Sequence, residues 1–317
     1  MKLRAVARHL LRYAITLVLA SVLIFLALRI IPGNPAEIAL GVTATEESVA
    51  KLEADMGLDQ PAWQQYLQWV TGMLQGNFGQ SIVSGADISS MVVDRLQVSL
   101  ILVTIAMVLA LLIAVPMGMW AAQRSARIDG VLVSALSQIG IAIPSFLTGI
   151  LLIALFSVHL GWLPPNGWVV PREHPGAFIA RIILPCVALG LVQAAIMTRY
   201  VRTAILDILH NDYMRTARAI GLSPVQALFR HGLRNAALPV LTVAGMQLTS
   251  LLIGAVVIEK VFAIPGLGSM LLQAVSNRDL PTVQTTVMML VILTICVNAL
   301  VDVTYALVDP RTKRSNR

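Results

Sequence analysis

The 317-residue chain is 57% hydrophobic and only 12% charged, with a formal net charge of +7. That balance describes a chain solvated by lipid, and it excludes a soluble enzyme and a nucleic-acid-binding module, because there is no soluble basic domain to present the charge. The two cysteines, Cys186 and Cys296, both fall inside apolar stretches and read as small buried hydrophobes, not as a disulfide or redox pair.

In chain order, a basic arm (Lys2, Arg4, Arg8, Arg12) leads into an apolar run near residues 10–31. The outline is that of a signal peptide, but no small-residue cleavage pattern follows; the run ends in Arg29, Ile30, Ile31, Pro32 and Gly33, so an uncleaved span is expected. Residues 32–97 follow as the one sizeable extramembrane region, with helical periodicity around 46–56 and 63–74. Trp63, Tyr66 and Trp69 recur at about one helical turn and read as one face of an interfacial helix resting at the headgroups, with a partner outside the membrane as the alternative.

Five more apolar stretches lie near 98–121, 131–158, 182–199, 238–258 and 283–307, each close to the ~20 residues that cross a bilayer core. The fourth is the shortest and, with Pro185 and Gly190, the least regular. Sixteen Lys and Arg residues fall on the side carrying both termini and six on the other, where the first outer loop sets Lys51 and Arg95 against eight acidic residues. Basic residues are retained in the cytoplasm, so both termini are cytoplasmic. The expected fold is all-α, a polytopic membrane protein with six transmembrane helices. Its expected parts are 1–97 (arm, first span and outer loop), 98–307 (a five-helix core with a cytoplasmic loop at 200–237) and 308–317 (a cytoplasmic tail).

Polar residues inside spans are expensive in hydrocarbon and mark candidate pathways. Gln138, Gln193, Gln247 and Asn298 are the candidates for a translocation path, with Thr249, Ser250 and Asp302 nearby; interhelical hydrogen bonding is the competing structural reading. Pro116, Gly118, Gly140, Pro144 and Gly149 read as positions for close helix packing, with bending as the alternative. The five histidines are scattered without ligand spacing, so no metal site is expected, and no nucleophile–base pair points to catalytic residues. No phosphate-binding loop ending in Gly-Lys-Ser/Thr is present. The chain is expected not to be an enzyme, and uphill transport would draw its energy from another subunit. A membrane-embedded hydrolase lacks its catalytic groups, and a passive channel would leave the polar loop unexplained.

That loop, from Arg199 to Pro239, carries explicit helix punctuation. Asp212 can cap a helix over Tyr213 to Ile220, and Gly221 sits where a C-terminal cap wants positive φ. Ser223, Pro224 and Gln226 spell the start of a second helix, expected to end at Pro239. On the first helix Tyr213, Ala217 and Ile220 are expected on one contact face, with Arg215 and Arg218 reaching outward.

This arrangement resembles the coupling loop of ABC importer membrane subunits, and its wording resembles the oligopeptide/dipeptide permease family. The matching residues are Asp212-Tyr213, Arg215-Thr216-Ala217-Arg218-Ala219, Gly221-Leu222, His231, Leu233-Arg234-Asn235-Ala236 and Pro239. Similar phrases occur in order at Leu58-Asp59-Gln60-Pro61, Gly161-Trp162-Leu163-Pro164, Glu259-Lys260-Val261-Phe262, Pro265-Gly266-Leu267-Gly268, Asn277-Arg278-Asp279 and Asp309-Pro310-Arg311, so the resemblance covers nearly the whole chain. Arg215 and Thr216 depart from the Glu and Ala that open the broader importer motif, which points to the peptide subfamily.

The resemblance implies a type I ABC importer permease in the bacterial inner membrane that moves short peptides, or glutathione, nickel or another small solute, by alternating access. It implies a second permease, cytoplasmic ATPase subunits that bind ATP and Mg, and an extracytoplasmic binding protein. Tyr213, Arg215, Thr216, Ala217, Arg218, Ala219 and Gly221 would couple to the ATPase. The outer segment 259–281 could plug the outer mouth or cap the surface.

Overall fold

A helix satisfies its own backbone groups, and most of the described chain is helical, joined by turns and loops, with an isolated bridge between Gln80 and Asp87. The structure, a computed structural model, describes residues 3–30, 34–41, 44–55 and 57–308. The tail past Val308, with its Asp309-Pro310-Arg311 phrase, lies outside them.

Helix α1 (Leu3–Ile30) is the first span. Three shorter helices follow: α2 (Pro35–Leu40), α3 (Glu46–Asp55) and α4 (Ala62–Leu74). The long α5 (Ile88–Gln123) precedes a pair, α6 (Ile128–Ala142) and α7 (Ser145–Leu152), the latter continued by π-helical turns over Ile153–His159. Then come α8 (Pro175–Leu209), α9 (Asp212–Ala219), α10 (Pro224–Ala227), α11 (Leu233–Val261), α12 (Leu267–Ser276) and α13 (Leu280–Val308). Five helices are long and apolar enough to cross a membrane, and the α6–α7 pair makes a sixth span if its two arms are counted together.

That pair occupies the span expected at 131–158 and breaks it in two. The chain bends by 98° between the arms, because Pro144 stands at the start of α7 with φ −61 and ψ 141, a backbone that cannot continue a helix. Pro144 therefore bends the chain, whereas the glycines do pack closely. A Cβ on Gly118 would lie 2.6 Å from Val201 Cβ, so α5 and α8 approach there as only glycine permits. The fourth stretch is also corrected. It is no short irregular span but one 35-residue helix, with Pro185 buried inside it and polar turns extending past Arg199. Cys186 is buried as expected, but Cys296 is exposed.

The chain divides into two compact units, one of residues Met1–Ser99 with Pro265–Ile295 and the other of Leu100–Ile264 with Cys296–Arg317. In the first unit, α5 begins ten residues before the expected span. Asp87 accepts the Ser89 backbone N–H at 2.9 Å, a bond that holds its carboxyl below the usual carboxylate range. Ile88 and Val92 then pack against Leu267 and Met270 of α12.

Asp279 ties this packing to the outer loop. Buried to 5% exposure, it accepts Ser81 Oγ at 2.6 Å, Thr282 Oγ1 at 2.7 Å and the Ile82 N–H at 3.2 Å. Arg278, at φ 55, makes the turn that presents it, at a cost of about 1 kcal/mol for a non-glycine residue. Asp279→Ala leaves two buried hydroxyls without their acceptor and is expected to destabilise this unit by about 2–3 kcal/mol. A lowered thermal unfolding midpoint of the purified protein checks it; an unchanged midpoint would remove the clasp from the account.

The aromatic face expected on α4 is also corrected. Tyr66 and Trp69 turn inward onto α1, with Phe25 5.4 Å from the Tyr66 ring edge-on and 6.4 Å from Trp69, while Trp63 points outward at 61% exposure. In the second unit α8 is the central helix, with α6, α7 and α11 packed around it.

Candidate functional site

The cytoplasmic loop folds as its punctuation predicts from Gly221 to Gln226 and differs at its start and beyond. Helix α9 starts one residue earlier than expected: Asp212 is its first residue, and Asn211 holds the N-cap position with extended φ −73 and ψ 147. Asn211 makes no side-chain cap; its Nδ2 donates back to the Asp207 carbonyl at 3.2 Å.

The other end closes through glycine. Gly221 has φ +97, and the turn pairs the Leu222 N–H with the Ala217 carbonyl at 3.2 Å and the Gly221 N–H with the Arg218 carbonyl at 3.0 Å. This is a Schellman turn, which satisfies carbonyls the helix end would leave open. Ser223 and Gln226 then form a reciprocal capping box, the Ser223 N–H donating to Gln226 Oε1 at 3.1 Å and the Gln226 N–H to Ser223 Oγ at 3.3 Å. The second helix does not end at Pro239. It passes through a π-helical turn over Leu228–Gly232 straight into α11, with Pro239 inside that helix.

Packing decides which residues of α9 are available. Met214 is fully buried and Ala217 is 5% exposed; both belong to a core with Val201, Ile205 and Ile208 of α8 and Leu228. Ala217 therefore faces its own protein, and the expected outer face of Tyr213, Ala217 and Ile220 is corrected: a helix this short presents Met214 and Ala217 inward because the long α8 supplies the surface beneath them. Tyr213 is 38% exposed and accepts Asn235 Nδ2 at 3.2 Å, linking α9 to the start of α11.

Arg215, Thr216, Arg218, Ala219 and Ile220 are exposed, Ile220 to 75%. Thr216 Oγ1 donates back to the Asp212 carbonyl at 3.1 Å. Arg215 lies 3.7 Å from Asp212, with both side chains largely in solvent, so this pair contributes about 0.5 kcal/mol or less. Val225 and Phe229 add exposed apolar surface beyond the glycine turn. Periodicity could have found them, since Val225 and Phe229 are four apart on the helical continuation.

The four expected path residues are not gathered into one described cavity. Gln138 and Asn298 are exposed and Gln247 half-buried. Gln193 is buried, and its Oε1 accepts no hydrogen bond. Beside α8 a cavity of about 310 Å³ is lined by Ile113, Ser137, Gly140, Thr148 and Thr198 among others; none of the four amide side chains lines it.

Comparison with known proteins bears on this arrangement. Residues 114–314 match the family described as binding-protein-dependent transport system inner membrane component, and residues 2–103 match the N-terminal family of the same components. A probable peptide ABC transporter permease protein of Sinorhizobium fredii is 36% identical over 97% of this chain and 98% of its own length. A glutathione transport system permease protein of Salmonella paratyphi A is 39% identical over the same shares. Among solved structures, the methionine ABC transporter MetNI in inward-facing conformations aligns with a TM-score of 0.58 at 22% identity, over 69% of this chain and 96% of that one. An amino acid ABC transporter aligns with a TM-score of 0.52 at 16% identity, over 68% and 94%. At such identities the structures speak for the fold alone, that of type I ABC importer permeases, whereas the family match and the full-length relatives establish kinship. The chain belongs to the family of binding-protein-dependent transport system inner membrane components, as a multi-pass permease subunit of an ABC importer in the bacterial inner membrane.

Proposed function

We propose that this permease carries short peptides into the cytoplasm, driven by ATP that partner subunits bind with Mg and hydrolyse, and that α9 with its glycine turn receives their motion. The observation that carries the coupling role is the construction of α9. Its inner side is locked into the core of α8 by Met214 and Ala217, its first turn is tied to α11 through Tyr213 and Asn235, and its outer side offers Arg215, Arg218 and Ile220. A push on that outer side cannot be absorbed by sliding of the helix, so it passes to α8 and α11, the helices that pack most extensively on each other.

In this reading the ATPase subunit takes Ile220 with the flanking Val225 and Phe229 into an apolar cleft, while Arg215 and Arg218 meet carboxylates at its rim. Ala217, Ala219, Thr216 and Gly221 act by shaping and holding the unit. Alternating access then follows from differential contacts: closed ATPase subunits favour one arrangement of the spans and separated ones the other. A second permease completes the pathway, with Gln138, Gln193, Gln247 and Asn298 as the polar groups offered to it or to the solute. An extracytoplasmic binding protein delivers the substrate.

The peptide assignment is supported by near-full-length similarity to relatives named for peptide and glutathione transport. Reconstituting the permease with its partner permease, ATPase subunits and binding protein in vesicles tests it. ATP-dependent accumulation of labelled di- and tripeptides is expected, and accumulation of free nickel ion in their place would overturn the peptide assignment.

A further inference from the structure

Helix α4 carries no charged side chain over its thirteen residues, AWQQYLQWVTGML. One side is used inside the protein. Ser21 and Tyr66 share a hydrogen bond of 2.8 Å, Phe25 packs on Tyr66 and Trp69, and Arg29 donates to Gln65 while covering the Phe25 ring at 4.7 Å. These contacts run along more than two turns of α1, from Ser21 to Arg29, but along little more than one turn of α4, from Gln65 to Trp69. The contacts thus spread further along α1 than along α4, as they do when one helix crosses another. The segment of α1 involved is the outer end of its span, which stops at Ile30. A helix that crosses a span at its end lies near the plane of the membrane, at the level of the headgroups.

The other apolar side of α4 has no partner in the chain. Trp63, Leu67 and Leu74 are exposed to 61%, 50% and 83%, and with half-buried Val70 they recur at spacings of four, three and four, which is one helix stripe. Gln64, Gln68 and Thr71 occupy a separate polar sector. On α1, Leu19, Leu23 and Leu26 are exposed as a membrane span requires, on a side of that helix turned away from the Ser21, Phe25 and Arg29 face that α4 covers.

We infer that the Trp63–Leu67–Val70–Leu74 stripe is a lipid-binding surface seated at the headgroup and acyl-chain boundary of the outer leaflet, so that α4 anchors the outer loop to the bilayer. The absence of charge on α4 and a tryptophan at the rim of the stripe favour phospholipid over a protein partner.

The test uses the assembled importer in nanodiscs of phosphatidylcholine and phosphatidylglycerol, with Cys186→Ala and Cys296→Ala as the background. Nitroxide labels are placed through Leu67→Cys and, separately, Gln68→Cys. Collisions with oxygen, which concentrates in lipid, are expected to exceed those with a water-soluble nickel chelate several-fold at position 67, with the order reversed at 68. Brominated acyl chains should also quench the native tryptophan fluorescence more strongly than that of Trp63→Phe. Greater nickel than oxygen accessibility at 67 would overturn the inference. So would an accessibility to oxygen at 67 that disappears on adding the extracytoplasmic binding protein, which would make the stripe a protein-docking surface.

Discussion

Ile220→Asp is expected to release the ATPase subunit from the purified importer and to cut ATP-driven uptake at least about 30-fold, the loss that follows when an interface hot spot worth about 2 kcal/mol is removed. The residue is 75% exposed, so a carboxylate there meets water in the isolated permease and leaves its folding and insertion unchanged. It becomes costly only when an apolar cleft closes over it. Ala217→Arg makes the contrast. At 5% exposure, packed in the core with Met214, Ala217 has no room for a long charged side chain, and that substitution breaks the unit whether or not anything docks on it. Co-purification of the ATPase subunit with each variant, measured beside permease yield, separates the two effects. Wild-type retention of the ATPase subunit by Ile220→Asp, with unchanged uptake, would show that α9 does not carry the contact.

Gly221→Val is expected to impair uptake strongly with normal membrane yield. The glycine sits at φ +97, and a Cβ there would meet no atom within 4 Å, so the penalty is backbone strain, not collision. Forcing an L residue into this conformation costs about 1–2 kcal/mol, and β-branching adds to it. About 1.4 kcal/mol corresponds to a tenfold loss in the population of the intact turn. Because Asn tolerates positive φ better than Ala or Val, the expected order of uptake is Gly, then Asn, Ala and Val. Equal uptake by all four would mean that the Schellman turn at Leu222 and Ala217 is dispensable for coupling.

The membrane class, the six hydrophobic stretches and the sidedness were legible in the sequence because each depends on a sum over many residues, apolar length in one case and basic count in the other. The Gly221 turn and the Ser223–Gln226 box were legible for a different reason: helix caps are local, and a few residue types at fixed spacing suffice to specify them. Tertiary structure decided the rest. Which side of α9 faces inward depended on the presence of α8 beneath it, and nothing within residues 212–220 records that helix. The same holds for α4, where equal aromatic spacing hid the fact that Tyr66 and Trp69 have α1 as a partner while Trp63 does not. Asp279 read as one acidic residue in an outer loop, and only the return of the chain 198 positions away brought Ser81 to it. The 98° bend at Pro144 was written in the sequence as a proline, but a proline in a span kinks, packs or breaks it according to what surrounds the freed carbonyl. Local chemistry thus specified the glycine turn, the capping box and the crossings of the bilayer, though not the expected cap at Asp212, whose place Asn211 takes, whereas the faces those helices show were set by contacts between residues far apart in the chain, whose partners no local pattern encodes.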